Sequence, residues 1–401
     1  MNLDQRAQIV ENYVQSKLLD KDGIVLAMIN ELTARPLRDK EIPDYMTFDR
    51  PGAPRKLWKA AFFSYEDSNM ATAEYLLANI YKYKATKDKS ARDTARQCYK
   101  AFQLIADAGS KNAVGVVKPM FGFLPKPYGG AKTAHLSSEV SIDQYMRTMY
   151  SLLVYKEVLA NKKEAEWIKS FLLACANCWS INNYTFSYFG VVCRWGIHSP
   201  HSVAFGLFCA AVGEYLGNKL HKNWFNIFMS RTDAFKKEMS GGEAGLITLS
   251  ARFLCDIKPE LTKTWHAYSK RCIENGFKFL DDNGHTANAG FINCEDNKRG
   301  WSKTPHRYWQ FLAWQGDIRL PETQLVGACV DYYELTGRDT FLAAAKDLMS
   351  MHAENGYVKW IQPHTKQDIP KGYELLANIV SGVNTTAWLR AYWQLKYLGK
   401  I

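Results

Sequence analysis

Apolar residues along this chain recur mostly at the three-to-four spacing of helices, and strand-like alternation is scarce. Several of the helical segments close alike. Tyr81 in IYKYKATKD, Tyr155 in VYKEVLANKK, Tyr215 in EYLGNKLHK, Tyr333 in YYELTGRDT and Tyr397 in KYLGK each end an apolar run. A short link carrying Gly, Asn or Lys follows each of them. Such links are helix C-terminal chemistry, because Gly and Asn accept the left-handed conformation and cations suit the negative end of the helix dipole. A second helical segment follows four of the five, at 89–108, 162–178, 220–238 and 338–352. The repeated unit is therefore helix, tight turn, helix.

Longer connections rich in Gly and aromatic residues join the units. GVVKPMFGFLPKPYGG (115–130), NNYTFSYFGVVCRWGIHSPHS (182–202) and NGHTANAGFINCEDNKRGWSKTPHRYW (283–309) are examples. Unstructured connections of this length are uncommon unless they carry function. The unit spacing is too irregular for a superhelical stack, so the pattern predicts an all-α toroid. Inner helices surround an axis, outer helices lie outside them, and the aromatic-rich loops cap one end. An irregular bundle or an open solenoid is the alternative.

Composition narrows the picture. The chain has 401 residues, of which 47% are hydrophobic, enough for a large buried interior and against disorder. Its net charge of +11 is spread among acidic residues, with no Lys/Arg-dense run of the kind that tracks nucleic acid. An anionic small substrate remains compatible with that charge. Nine cysteines sit mostly inside apolar helical runs, which fits reduced, buried thiols, and the single Cys175-Ala-Asn-Cys178 lacks the second ligand pair of a metal site. No apolar run approaches the ~20 residues that span a bilayer, and MNLDQRAQIVENY has no apolar signal core. The expectation is a soluble cytoplasmic or periplasmic protein, monomer or homodimer, with no membrane or nucleic-acid partner and no metal or cofactor.

Candidate chemistry gathers where the like helices begin. Twelve residues before the marker tyrosines lie Asn69, Asp143, Val203, Pro321 and Thr385, which should share one rim. Polar residues there are Glu66, Asp67, Asp143, His198, His201 and Asn384, with His135 and Glu139 in the approach to Asp143. Converging helix N-termini favour an anionic group, and Arg147 and Arg194 offer forked partners for one. Trp195, Tyr184, Tyr188 and Tyr128 offer flat faces suited to sugar rings. Each acid also has a plain structural use as an N-cap or first-turn residue.

The stretch SIDQYMRTMYSLLVYKE resembles the second catalytic helix of the unsaturated glucuronyl and rhamnogalacturonyl hydrolases, and CRWGIHSPHSVAFGLFCAAVGEYLG resembles their Trp-Arg-Gly region, reading Arg-Trp-Gly here. The resemblance implies an (α/α)6 barrel over residues 1–401 as one catalytic domain. It also implies a glycoside hydrolase acting on unsaturated-uronate or uronate-containing oligosaccharides. Asp143 would be the acid/base and Asp67 its partner, with His198, His201 and Arg194 gripping the uronate. In that chemistry a protonated Asp donates to the C4=C5 double bond, so its pKa must be raised. Two carboxylates flanking an ordinary glycosidic bond would instead hydrolyse it directly. A lyase or epimerase using His198, His201, His135 or Tyr188 as base, and a non-catalytic oligosaccharide-binding protein, stay open as alternatives.

Overall fold

A computed structural model describes residues 1–42, 59–111, 120–188, 191–194, 199–237, 241–278, 280–287, 318–360, 362–363 and 374–401. Twelve of the described helices form two layers. The inner layer is α2 (Ser68–Thr86), α4 (Ile142–Val158), α6 (Pro200–Tyr215), α8 (Gly241–Ile257), α10 (Thr323–Thr336) and α12 (Gly382–Tyr397). Each packs on the next, and α12 packs back on α2, which closes the ring. The outer layer is α1 (Leu3–Tyr13), α3 (Lys89–Ser110), α5 (Lys162–Ile181), α7 (His221–Met229), α9 (Thr262–Phe277) and α11 (Leu342–Met351), each against inner neighbours. The fold is an all-α toroid of six inner–outer helix pairs among the described residues, five of them hairpins and the sixth formed by α12 with α1.

Inner helices are apolar nearly all round, as a doubly covered layer requires. In α6 the run Ser202–Gly213 is buried throughout, and Pro200 occupies the first helical position, where its missing N–H costs nothing. Gly206 and Gly213 lie two turns apart on the face of α6 turned to α7. A Cβ on Gly206 would sit 2.8 Å from the Phe228 ring, and one on Gly213 would sit 2.4 Å from His221. These two glycines let the hairpin pack at close range.

The inner helices begin at Ser68, Ile142, Pro200, Thr323 and Gly382, within three residues of the positions counted back from the marker tyrosines. The pair α8/α9 escaped that count, because α8 ends in Cys255-Asp256-Ile257 without a closing tyrosine. The segment 220–238 is not one helix. α7 stops at Met229, where the Ser230 hydroxyl turns back to the Ile227 carbonyl at 2.7 Å, and a 3-10 turn over Thr232–Lys236 follows. The chain also contains short strands. Met28–Asn30 pairs with Arg35–Pro36 and with Ile379–Ser381, and Ile379–Ser381 pairs in turn with Val358–Lys359. Thr185–Tyr188 and Val191–Arg194 form a hairpin.

Charged side chains, instead of apolar ones, cross the interior of the ring. Arg390 grips Asp331 through two nitrogens at 2.7 and 3.0 Å, and its Nε lies 2.9 Å from Glu74. Arg252 adds a bond to Asp331 at 2.7 Å and an ion pair to Glu334 at 2.8 Å. Arg147 on α4 pairs with Glu74 on α2 and reaches Gln324 on α10 at 3.0 Å, spanning helices that are not ring neighbours. Arg147 is thereby committed to the interior instead of to a substrate carboxylate. Glu74, Asp331, Arg147 and Arg390 are all buried. A buried carboxylate is tolerable only when paired and hydrogen-bonded. Burial alone would push Asp331 up, but Arg390 and Arg252 hold it below the ordinary carboxylate value.

Candidate active site

Alternating direction along the hairpins puts all inner-helix N-termini on one rim. Asp67 stands at the N-cap position of α2, yet among the described residues its side chain makes no capping hydrogen bond. It turns instead toward α4. Gln144, in the first turn of α4, donates from Nε2 to Asp67 Oδ1 at 2.8 Å and to the Glu66 carbonyl at 2.9 Å. Asp143 precedes Gln144 and accepts from its backbone N–H at 2.8 Å and from the Ser141 hydroxyl. One side chain thus ties the starts of α2 and α4 together and brings their acids into one cluster.

Lys126 enters this cluster from the connection between α3 and α4. Its side chain is 2% exposed, and Nζ lies 3.3 Å from Glu66 Oε1 and 3.8 Å from Asp67 Oδ1. Glu66 is likewise buried, whereas Asp67 keeps 32% of its side-chain surface open. Burial pushes the Asp67 carboxyl up, Lys126 and the Gln144 bond pull it down, and the charges of Glu66 and Asp143 push it up again, to about 7. A carboxyl so placed keeps its proton up to near-neutral pH, where ordinary carboxylates have lost theirs.

A second pair faces the rim from the next helices. His201, in the first turn of α6, has Nδ1 2.8 Å from Glu243 Oε1 in the first turn of α8. A carboxylate on Nδ1 fixes the imidazole's orientation. Glu322 at the start of α10 packs over Gly241, where a Cβ would come 2.3 Å from its Oε2.

The other expected site residues divide. Asn384 sits in the first turn of α12, its N–H donating to Ser381 Oγ at 3.1 Å. Glu139 and Tyr128 are both fully buried, and the Tyr128 hydroxyl donates to Glu139 Oε2 at 2.7 Å. Tyr128 therefore has no open face for a sugar ring, because its ring is packed into the wall to hold Glu139, and Glu139 has no open oxygen surface of its own. Tyr184 is buried too, against Trp179, Trp224 and Phe228. His135 is exposed on the 3-10 turn Ala134–Leu136. Tyr188 and Arg194 close the strands of the 185–194 hairpin. Trp195 and His198 lie outside the described residues. Cys175 and Cys178 are buried free thiols, Cys178 pushed up to about 12 by burial. Among the described residues no group of three or more His, Cys, Asp or Glu side chains is placed to hold a metal, and no helix is long and apolar enough to cross a membrane.

Lys126, Glu243, Glu322, Arg252 and Arg390 escaped sequence reasoning, and Arg147 was read only as a partner for an anion. Glu243 and Glu322 carry the same signal as Asp67 and Asp143, an acid opening an inner helix; α8 lacks a marker tyrosine, and Glu322 stands one residue past the counted Pro321. The only hint of Lys126 is its place between two prolines in LPKPYGG.

No family model matches the chain, and no curated protein matches it. Solved structures do resemble it in fold. One is a D-mannose isomerase, with a TM-score of 0.53 and 10% identity, covering 100% of this chain and 97% of that one. Another is a family 76 glycoside hydrolase from a bovine Bacteroides thetaiotaomicron strain, with a TM-score of 0.54 and 8% identity, covering 100% of this chain and 78% of that one. These likenesses establish the helical toroid architecture.

Proposed function

We propose that this protein is a carbohydrate-active enzyme that uses the Asp67/Asp143 cluster for general acid/base chemistry on an oligosaccharide, with uronate-containing substrates foremost. The observation that carries the reading is the half-buried Asp67 carboxyl, pushed up to about 7 beside Glu66 and Asp143 and open to the rim over 32% of its side chain. A proton donor is most useful when its pKa lies near the working pH. Asp67 is accordingly the acid and Asp143 its partner, the reverse of the order the sequence pattern suggests. With an unsaturated uronate, Asp67 would protonate the C4=C5 bond, water would add at C5, and the hemiketal would collapse. The toroid neighbours named for mannose and for glycoside hydrolysis support a sugar as the substrate class.

Asp67→Asn should abolish release of new reducing ends from uronate oligosaccharides, a fall of roughly 10²–10⁴ in turnover by the usual weight of general acid catalysis. Full activity in that variant removes the reading.

The His201–Glu243 pair favours a second reading, a sugar isomerase or epimerase in which an oriented imidazole abstracts a proton beside a carbonyl. The two separate cleanly. Activity that survives Asp67→Asn and Asp143→Asn but is lost in His201→Ala selects the imidazole reading. A protein that binds oligosaccharides tightly and yields no product in either assay is a binding protein.

A further inference from the structure

Lys126 lies outside every helix and is not one of the acids or bases of the rim. Its surroundings are nevertheless built with care. The Leu124 N–H donates to the Tyr145 hydroxyl at 2.6 Å, and the Pro125 carbonyl accepts from Asn69 Nδ2 at 3.0 Å. The Lys126 N–H donates to the Glu139 carbonyl at 2.8 Å, and its own carbonyl accepts from the Tyr128 N–H at 2.9 Å. Tyr128 then bonds the Glu139 carboxylate, and the Gly129 N–H reaches the Ala61 carbonyl at 3.1 Å. Prolines on both sides restrict the backbone further. The segment is a strut docked at once on the start of α2, the side of α4 and the approach to α4.

This strut delivers one ammonium group, almost wholly enclosed, to two carboxylates on adjacent residues. Burying a lysine costs heavily unless its charge is matched, and a lysine serving only to match one acid needs no such frame. Three carboxylates, those of Glu66, Asp67 and Asp143, share this corner, and Lys126 is set against the first two.

We propose that Lys126 is a positioning residue of the acid site, a fixed cation that holds Glu66 and Asp67 against each other and facing Asp143, and so decides at which pH the cluster gives up its last proton. The proposal rests on the reading of Asp67 as the acid and adds the group that tunes it. The attraction of Lys126 opposes burial and the two neighbouring acids, so its loss leaves Asp67 protonated to higher pH. As acid catalysis needs the protonated form, the alkaline limb of the rate profile moves upward with it.

The test follows the carboxyl directly and needs no substrate. In full-length protein labelled with ¹³C at the aspartate carboxyls, one resonance should titrate near neutral pH and vanish in Asp67→Asn. Lys126→Met and Lys126→Gln should each move that midpoint upward by about 1 unit or more, the usual effect of removing a close opposite charge. Lys126→Arg should restore it toward the native value. The backbone bonds of the strut do not involve the altered side chain, so both neutral variants retain the docking. An unmoved midpoint in either variant, even with a lowered melting temperature, overturns the proposal and reduces Lys126 to a structural residue. A native protein with no neutral-titrating aspartate defeats the acid reading itself, and the proposal with it. Loss of the resonance in Asp67→Asn, with no shift on losing Lys126, defeats the proposal alone.

Discussion

Two corners of this ring bury carboxylates, and they are built in opposite ways. In the interior, Glu74, Asp331 and Glu334 meet Arg147, Arg252 and Arg390, three charges against three. At the rim, Glu66 and Asp67 meet Lys126, with Asp143 as a further acidic neighbour of Asp67. The consequence shows in two aspartates. Asp331 is held below its ordinary value by its arginines, and Asp67 is lifted to about 7 by burial and its acidic neighbours. Burial penalises both, so the difference lies in the sign of the nearest charges. Arginines at close range make a fastener, and neighbouring acids make a proton reservoir.

Four experiments bear on that contrast. The largest effect is expected from Asp331→Asn, which takes from Arg390 and Arg252 the buried carboxylate they share and leaves Arg390 to Glu74 and Arg252 to Glu334. Breaking a buried pair from one side costs about 3–5 kcal/mol, and urea unfolding should register it. A loss below about 1 kcal/mol, the usual worth of an exposed pair, would show that the interior network is solvated and the contrast false. The same network predicts acid sensitivity. A carboxylate with a lowered folded pKa stabilises above its unfolded value and loses that contribution as pH falls through the folded one. Native protein should therefore lose stability at acid pH, and Asp331→Asn should flatten that limb.

At the rim the sign reverses. Asp67 holds a proton in the folded protein from its ordinary value near 3.8 up to about 7, so stability should decline as pH rises across that window. Asp67→Asn should remove this slope and raise the melting temperature at pH 8 by roughly 2 °C, while turnover is lost. A fall in stability at that pH would mean that Asp67 fastens the structure as Asp331 does. The finest adjustment is Glu66→Gln. It takes one negative neighbour from Asp67, whose midpoint should fall by about 1 unit, opposite in direction to the loss of Lys126. A rise would mean that Glu66 acts mainly by anchoring Lys126.

The ring was legible because terminal aromatics and Gly, Asn or Lys links repeat, and each such end is fixed by local chemistry. The acids of the rim were legible for the same reason. Asp67 and Asp143 open helices whose starts could be counted back from Tyr81 and Tyr155. What escaped was whatever depends on a partner distant in sequence. Arg147 reads alone as a free cation, and its use appears only once Glu74 and Gln324 are beside it. Tyr128 reads as a platform until its hydroxyl is found on Glu139. Lys126 belongs to no periodic segment, and nothing local records that its strut docks on α2. The α8/α9 hairpin was missed for a local reason, an ending without tyrosine.

The closure of the ring has a consequence for how the protein is made. The broadest helix-to-helix seam joins α2, near the beginning of the chain, to α12, at its far end, and the strand pairing of Met28–Asn30 with Ile379–Ser381 spans a similar separation. During synthesis the apolar flank of α2 has no cover until Gly382–Tyr397 has emerged from the ribosome. Contacts this distant along the chain slow folding and leave partly assembled forms prone to clump. Until that helix docks, the partly assembled ring keeps an apolar seam open.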